Sequence, residues 1–501
     1  MDCNLVIGVE GCEKINKKLR FSAILTSPHW LKYFSHKIKT KQKMTELTET
    51  KPLKDFSELL NYQQLPEAQT KKASKRGPKF KLSREDGVKI ELIKNNEKVP
   101  KTLVCHDMKG GYLEDRFTNG AKDLLSEPYV FTHWSKIDIF VYFSHHFITI
   151  PPIGWIEAAH KNGVQILGTV ITELEPGEKI WNEILRTPEN QNQFVQKLTE
   201  IAKNVGFDGW LLNIENKIDK SKIPDLIKIV EDLTKAMHDS DPDSLVIWYD
   251  SVTIEGDLKW QNSLNDLNSA FFDVCDGIFL NYTWTEELLA NSVLFDPIRR
   301  FDVYVGLDVF GRGCPGGGGF DSNQALTMIN YAQLSCAIFA PGWTHECANA
   351  GDFRDRDVKF WSLLEPLLHH QGVVQAGPSL ELNLGSGLDG NAGDKWWLDL
   401  SKQSISPSFK NEIICDFDLK ASSIIKAFFD SPVKDQVVIV ILDDKTFKPK
   451  FQMDKNTVVL NLENESNCTM RFLKFDQGSG TAMLKTSVRQ NYRKYTLNNF
   501  V

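Results

Sequence analysis

The chain of 501 residues contains no apolar run of about 18 residues, the length that a membrane-spanning helix needs. Its first residues, MDCNLVIGVEGCEK, lack the charged start and the long apolar stretch of a signal peptide. The nine cysteines are odd in number, widely scattered and without a CxxC pair, which favours free thiols in a reducing compartment over a disulfide framework. These absences predict a cytosolic protein that does not bind a membrane.

An excess of positive charge is also missing. The formal net charge is −7, which supports solubility but does not indicate a nucleic-acid-binding surface. The histidines and cysteines show no HExxH motif or paired-ligand spacing, so we expect no metal ion and no other cofactor. Gly316–Gly319 could suggest a phosphate-binding loop, but no GK[ST] follows, and a loop at the rim of a cleft is the better interpretation.

Composition divides the chain into three parts. Residues 1–95 are a polar, lysine-rich leader, which we expect to be largely disordered. Its basic run Lys71–Lys81 is either a localisation or anion-binding signal or a solvated linker. Residues 96–375 predict a catalytic barrel. Residues 376–501 contain glycine-rich turns and short alternating strands, for example Asp435–Leu442, and predict a β-sandwich accessory domain that binds carbohydrate or braces the barrel.

Eight short β-rich apolar runs recur in the middle part, and several helical patterns separate them. Strands that alternate with helices favour a parallel sheet, and eight such units have the size of a (β/α)8 TIM barrel, an α/β fold. A doubly wound open sheet is the structural rival, but no GxGxxG opening is present. The eight runs are Leu103–His106, Ile137–Ser144, Val164–Ile171, Gly209–Glu215, Leu245–Ser251, Gly277–Trp284, Tyr304–Phe310 and Cys336–Trp343.

The fourth run, within GFDGWLLNIEN, carries the most informative side chains. Alternate residues of a strand share a face, so Leu211, Asn213 and Glu215 point one way. The opposite face, with Trp210, Leu212 and Ile214, is wholly apolar and suits the contact with surrounding helices. Because barrel enzymes place their active sites at the carboxyl ends of the strands, the pattern predicts that Asn213 and Glu215 lie in a catalytic cleft.

An amide beside a carboxylic acid suits the cleavage of a 2-acetamido sugar. The acetamido oxygen of such a sugar can attack its own anomeric carbon and form an oxazoline-like intermediate. Asn213 can hydrogen-bond the acetamido N–H, and Glu215 can donate a proton to the leaving oxygen and then act as base for water. Burial beside aromatic residues should raise the pKa of Glu215 and keep it protonated near neutrality.

FDGWLLNIEN resembles the signature of glycoside hydrolase family 85, the endo-β-N-acetylglucosaminidases. Further blocks that look like this family are Leu167–Glu173, Trp248–Ser251, Leu280–Trp284, Phe310–Phe320 and Gly393–Trp397. The resemblance covers about residues 100–415 and implies a retaining, substrate-assisted hydrolysis of the GlcNAc-β-1,4-GlcNAc bond in the core of N-glycans. It also implies that the partners are N-glycans on glycoproteins or glycopeptides, and free oligosaccharides.

The resemblance also implies roles for single residues. Tyr249 matches the family's active-site tyrosine block and is the third expected catalytic residue, after Glu215 and Asn213. The residues expected to bind the sugar are Trp260, Trp284, Asn281, Trp134, His106 and Asp308. Several of these could instead be core residues, because tryptophan in particular is often buried for packing alone.

Two other functions stay open at this point. A chitinase-like hydrolase of family 18 has the pattern FDGxDxDxE, but this chain has Leu211 and Asn213 where that family has acidic residues. A glycan-binding protein without activity is the rival from another class. It is disfavoured because Glu215 is present, and inactivated hydrolases usually lose this acid.

Overall fold

The computed structural model describes residues 49–63, 79–83, 89–93, 97–117, 129–349 and 352–372, residue 400, and a set of strands between residues 382 and 489. The predictions for residues 1–48, and for the basic run up to residue 78, lie outside these described residues.

Eight parallel strands form a closed barrel. Each strand pairs with the next along this series, and the last pairs back with the first through Cys336 and Thr102. The predicted (β/α)8 barrel is therefore confirmed, and each of the eight predicted runs overlaps one of its strands. The strands are β1 Thr102–Asp107, β2 Ile139–Phe143, β3 Gln165–Glu173, β4 Gly209–Glu215, β5 Leu245–Tyr249, β6 Gly277–Leu280, β7 Val303–Asp308 and β8 Ser335–Phe339.

Helices surround the barrel and connect its strands. The helix before β4 shows why the chain folds this way locally: Thr187 caps its first turn by accepting a hydrogen bond from the Asn190 N–H, and Gly206 ends it in a left-handed conformation. The described helices are α1 Phe56–Leu60, α2 Ile153–Lys161, α3 Leu174–Ile184, α4 Pro188–Val205, α5 Ile223–Ser240, α6 Ser269–Phe272, α7 Glu286–Phe295, α8 Ser322–Tyr331, α9 Trp343–Glu346 and α10 Phe353–Leu364. None of these helices has the length and hydropathy to cross a bilayer.

Two apolar layers hold the barrel together. Leu211 belongs to the cluster that fills the barrel interior, whereas Trp210, Leu212 and Ile214 belong to the cluster between the strands and the helices. The alternation expected for β4 is therefore present. Every second residue of the strand faces inward, and this face carries Asn213 and Glu215 at its carboxyl end.

Part of the predicted leader packs on the barrel. Phe56 and Leu59 of α1 are buried in the outer apolar cluster. Strands Lys79–Ser83 and Lys89–Leu92 pair with each other, and the first also pairs with His369–Gln371. The described residues between 49 and 93 thus contribute secondary structure to the barrel unit, although composition alone assigned them to the leader.

The strands beyond residue 381 pair mainly in two antiparallel sheets, of five and four strands among the described residues. A two-stranded pairing joins Leu388–Asp389 to Lys395–Trp396. The β-rich character of this part agrees with the sequence pattern, and the face-to-face packing that defines a sandwich stays a prediction. The strands of the two larger sheets are Leu382–Asn383, Glu412–Leu419, Ile424–Phe428, Val437–Leu442, Lys445–Phe447, Phe451–Asp454, Thr457–Asn461, Cys468–Asp476 and Met483–Arg489.

Candidate active site

Asn213 and Glu215 lie together at the carboxyl end of β4. Asn213 is buried, its register partner on β3 is Ile171 of the barrel interior, and its side chain lies near enough to the Glu215 carboxyl group to lower the pKa of that group. Glu215 is only partly buried. The amide is thus held at the base of the barrel mouth, and the carboxyl group, two residues further along the strand, lies nearer to solvent.

The surroundings of Glu215 favour its protonated form. Burial is the main cause that raises the pKa of this carboxyl group, and the negative charge of Glu173 raises it further. Hydrogen bonds from Trp260 and Asn213 and the positive charge of His145 act in the opposite direction. Because the raising influences are larger, more of Glu215 is protonated near neutral pH than of an ordinary glutamate, as a general acid requires.

Tyr249, at the end of β5, is a buried neighbour of Glu215. Its hydroxyl group donates a hydrogen bond to Asn281 Oδ1 at 3.0 Å. Burial, with the negative charges of Glu215 and Asp250, raises the pKa of the phenol well above its usual value. The hydroxyl group therefore stays protonated, and in this structure its single proton is directed to Asn281.

Trp260 lies on a loop that follows β5 and reaches back to Glu215. The side chain of Trp260 is 41% exposed, which leaves an indole face open at the rim of the mouth. Asp250, directly after β5, holds this loop, because its Oδ2 accepts hydrogen bonds from the N–H groups of Gln261 at 3.0 Å and Asn262 at 2.7 Å. The side chain of Asn262 in turn accepts from the Thr283 N–H at 2.9 Å, which ties the loop to the segment after β6.

Asp308 closes another side of the mouth, at the end of β7. Its side chain is fully buried and makes two bonds to Arg312, with Nε to Oδ2 at 2.5 Å and Nη2 to Oδ1 at 3.1 Å. The Arg312 guanidinium also lies over the Phe339 ring, 5.3 Å from its centroid. Asp308 therefore positions an arginine at the mouth and offers no free carboxylate to a sugar hydroxyl.

The structure does not bring three of the expected sugar-binding residues to the mouth. His106 faces outward from β1 and stacks on Tyr129, with 5.1 Å between ring centroids. Trp134 is fully buried in the outer apolar cluster, before β2 begins. Trp284 is buried in the same cluster, and its Nε1 donates to the Gly306 carbonyl at 2.7 Å. These three side chains serve packing in the described structure.

Sequence reasoning missed several charged and polar groups around the mouth: Asp107, His145, Glu173, Asp250, Tyr282 and Arg312. A signal existed for Glu173, because it follows Leu167 and Ile171 at even spacing and ends the block LGTVITE. Asp107 follows His106 directly, and because consecutive residues of a strand face opposite sides, only one of the two can face the mouth. In the described part of the chain, no group of three or more His, Cys, Asp and Glu side chains is arranged to hold a metal ion.

Comparison with known proteins gives consistent results. The model of glycosyl hydrolase family 85 matches residues 112–382. Over 318 residues, 62% of this chain, the sequence is 46% identical to cytosolic endo-beta-N-acetylglucosaminidase 2 of Arabidopsis thaliana and 44% identical to the cytosolic endo-beta-N-acetylglucosaminidase of Homo sapiens. These matches cover 45% and 42% of the two relatives, so the chain spans less than half the length of the curated relatives it matches.

A solved structure is similar in fold. The glycoside hydrolase domain of Endo-D from Streptococcus pneumoniae R6 has a TM-score of 0.64 to this chain, with 15% sequence identity. The match covers 88% of this chain and 82% of that one. At this identity the likeness concerns the fold alone.

Proposed function

The chain belongs to glycosyl hydrolase family 85, and on that premise we propose that it is a cytosolic endo-β-N-acetylglucosaminidase. Its substrate is the N-glycan core, on glycoproteins, glycopeptides or free oligosaccharides, and the bond it hydrolyses is GlcNAc-β-1,4-GlcNAc. The reaction retains configuration and uses the acetamido group of the substrate as nucleophile. The observation that carries the proposal is the pairing of Asn213 with Glu215 at the mouth of the barrel.

The first step needs an acid and an oriented acetamido group. Glu215, with its raised pKa, donates its proton to the glycosidic oxygen as the carbon–oxygen bond breaks. The acetamido oxygen then attacks the anomeric carbon, and an oxazolinium-type intermediate forms. Asn213 holds the acetamido group against the anomeric carbon, because its side-chain oxygen accepts from the N–H of the sugar.

The second step uses the same carboxyl group in its ionised form. Glu215 takes a proton from water as the water oxygen attacks the anomeric carbon, the bond between that carbon and the acetamido oxygen breaks, and the acetamido group is restored. Tyr249 keeps a neutral hydroxyl group beside Glu215, and its proton turns from Asn281 to an oxygen atom that gains charge. Trp260 offers an exposed aromatic face at the rim, of the kind on which a sugar ring can pack.

Mass spectrometry of a defined high-mannose glycopeptide before and after incubation tests this function. We expect a peptide product that retains one GlcNAc and a released glycan that ends in the other. Glu215→Gln should lower turnover by about two to four orders of magnitude, the usual contribution of a positioned acid or base, while the far-ultraviolet circular dichroism stays that of the wild type. Turnover of the variant at the wild-type rate would refute the role of Glu215.

Two parallel incubations separate the rival functions. Cleavage of chitin oligomers in place of the glycopeptide would favour a chitinase-like hydrolase. Binding of the intact glycopeptide without any cleavage would favour a glycan-binding protein.

A further inference from the structure

Three charged side chains outside the proposed catalytic set lie on one side of the mouth. Asp107 ends β1, Glu173 ends β3, and His145 follows β2 between them. His145 Nε2 lies 3.6 Å from Asp107 Oδ2, and His145 Nδ1 lies 3.4 Å from Glu173 Oε2. The imidazole ring thus bridges two carboxylates from β1 and β3, the strands on either side of β2.

Glu215 is the neighbour of Glu173 on the adjacent strand. In the parallel pairing of β3 with β4, Glu173 is the register partner of Glu215. Glu173 follows Leu167 and Ile171 of the barrel interior at even spacing, as Glu215 follows Leu211, so both carboxyl groups are on the inner face. Neighbouring strands are about 4.8 Å apart, so the two carboxyl groups are close enough to repel each other when both are ionised.

We propose that Glu173 is a positioning residue that favours the protonated state of Glu215, and that His145, held between Asp107 and Glu173, opposes it. The proposal rests on the role of Glu215 in the proposed function. Glu173 acts through the neighbouring carboxyl group and not through the sugar. The opposing charges of Glu173 and His145 therefore set how readily one carboxyl group serves first as acid and then as base.

The charge states at neutral pH agree with this arrangement. The adjacent carboxylates of Asp107 and then of Glu173 raise the pKa of His145 to about 10, so the ring carries a positive charge. The negative charge of Glu173 raises the pKa of Glu215, and the positive charge of His145 lowers it. Tyr249, the titratable group that faces Glu215 from β5, stays neutral because its pKa is raised well above the usual value.

Two charge-removing substitutions give opposite expectations. Glu173→Gln keeps the shape but removes the negative charge, so the midpoint for titration of Glu215 should move to lower pH by about one unit. His145→Gln removes the positive charge, so the midpoint should move to higher pH. Glu175→Gln is the matched control, because it removes a carboxylate two residues further on that is exposed and pairs with Lys179. It should move the midpoint by less than about 0.3 unit.

Two readouts of the full chain apply to each variant. The first is the alkaline limb of the pH profile of kcat/KM with the glycopeptide, which reports the acid in the free enzyme. The second does not need activity: the rate at which a diazo reagent esterifies Glu215, followed by peptide mass spectrometry against pH, since such reagents react with protonated carboxyl groups. Opposite shifts in the two test variants, with none in the control, would support the proposal.

Midpoints that do not move, that move in the same direction, or that move equally in Glu175→Gln would overturn the proposal. The esterification measurement also distinguishes the two proposals, because it does not need activity. Shifted midpoints in a chain that leaves the glycopeptide intact would refute the proposed function and support the role of Glu173. Efficient cleavage with unshifted midpoints would support the proposed function and refute the role of Glu173.

Discussion

Gly209, the first residue of β4, should tolerate no side chain, and its substitution tests how the strand that carries Asn213 and Glu215 is positioned. Its φ angle is +153°, and a Cβ atom built on it would lie 1.8 Å from the carbonyl oxygen of Leu245 on β5. An ordinary carbon–oxygen contact is about 3.3 Å, so the two strands would have to separate by roughly 1.5 Å. Alanine at this position would therefore disturb the pairing that carries Asn213 and Glu215.

The expected loss of stability can be estimated from two contributions. Forcing extra volume into a packed site costs about 1–3 kcal/mol, and a side chain at positive φ costs about 1–2 kcal/mol. Gly209→Ala should therefore lower the free energy of unfolding by about 3 kcal/mol or more. Turnover should also fall by about 100-fold, because a shift of about 1 Å in a catalytic group has an effect of that size.

Gly317→Ala is the matched control, since Gly317 also has positive φ, at +77°, but no atom lies within 4 Å of the added Cβ. It should cost only the conformational part, about 1–2 kcal/mol. The assay is guanidinium-induced unfolding followed by tryptophan fluorescence, with kcat measured on the same preparations. Equal losses of stability in the two variants would show that β4 and β5 can accept the added Cβ atom at no extra cost, and the reasoning would fail.

Three further expectations follow from single contacts. Asn213→Ala should lower glycopeptide hydrolysis by about 100- to 1,000-fold but spare use of a preformed oxazoline donor, and an equal loss in both reactions would contradict the orienting role. Tyr249→Phe removes the bond to Asn281, so it should cost about 1 kcal/mol in thermal unfolding and lower kcat by about 100-fold; an unchanged kcat would exclude a role for the hydroxyl group. Burial raises the pKa of Asp250 to about 6 from its usual 3.8, so folding takes up a proton between these values. The stability that protonated Asp250 contributes is complete below pH about 4 and is lost as the pH rises through 6. Urea unfolding should therefore show a loss of about 2–3 kcal/mol over this range in the wild type, and Asp250→Asn should not show it.

Much of the site could be predicted from β4 alone. The strand alternates apolar and polar residues only at its carboxyl end, so the inner face of Leu211, Asn213 and Glu215 could be assigned as soon as a barrel was expected. Barrel enzymes use this end of the strands, which places the pair at the mouth. Tyr249 is expected only from the resemblance of the block Trp248–Ser251 to the family, and the structure places it as the last residue of β5.

The error at His106 has a different cause. Strand β1 is buried on both faces, so its sequence does not alternate between apolar and polar residues. Without alternation the sequence does not indicate whether His106 or Asp107 faces the mouth. In the structure His106 stacks on Tyr129 in the outer layer, and Asp107 faces His145. Trp284 is a similar case, because it lies in the segment that follows β6, where strand parity no longer applies.

The sequence by itself determined the order of strands and helices, the barrel, and the amide and acid at the end of β4, because these depend on local periodicity and on the spacing of residues within one strand. Only the tertiary structure decided which charged groups surround that acid. Asp107, His145 and Glu173 come from three different strands and loops, and their distances depend on the closure and register of the barrel. Electrostatic interactions act through space, so the balance of charge at Glu215 exists only when those strands are side by side.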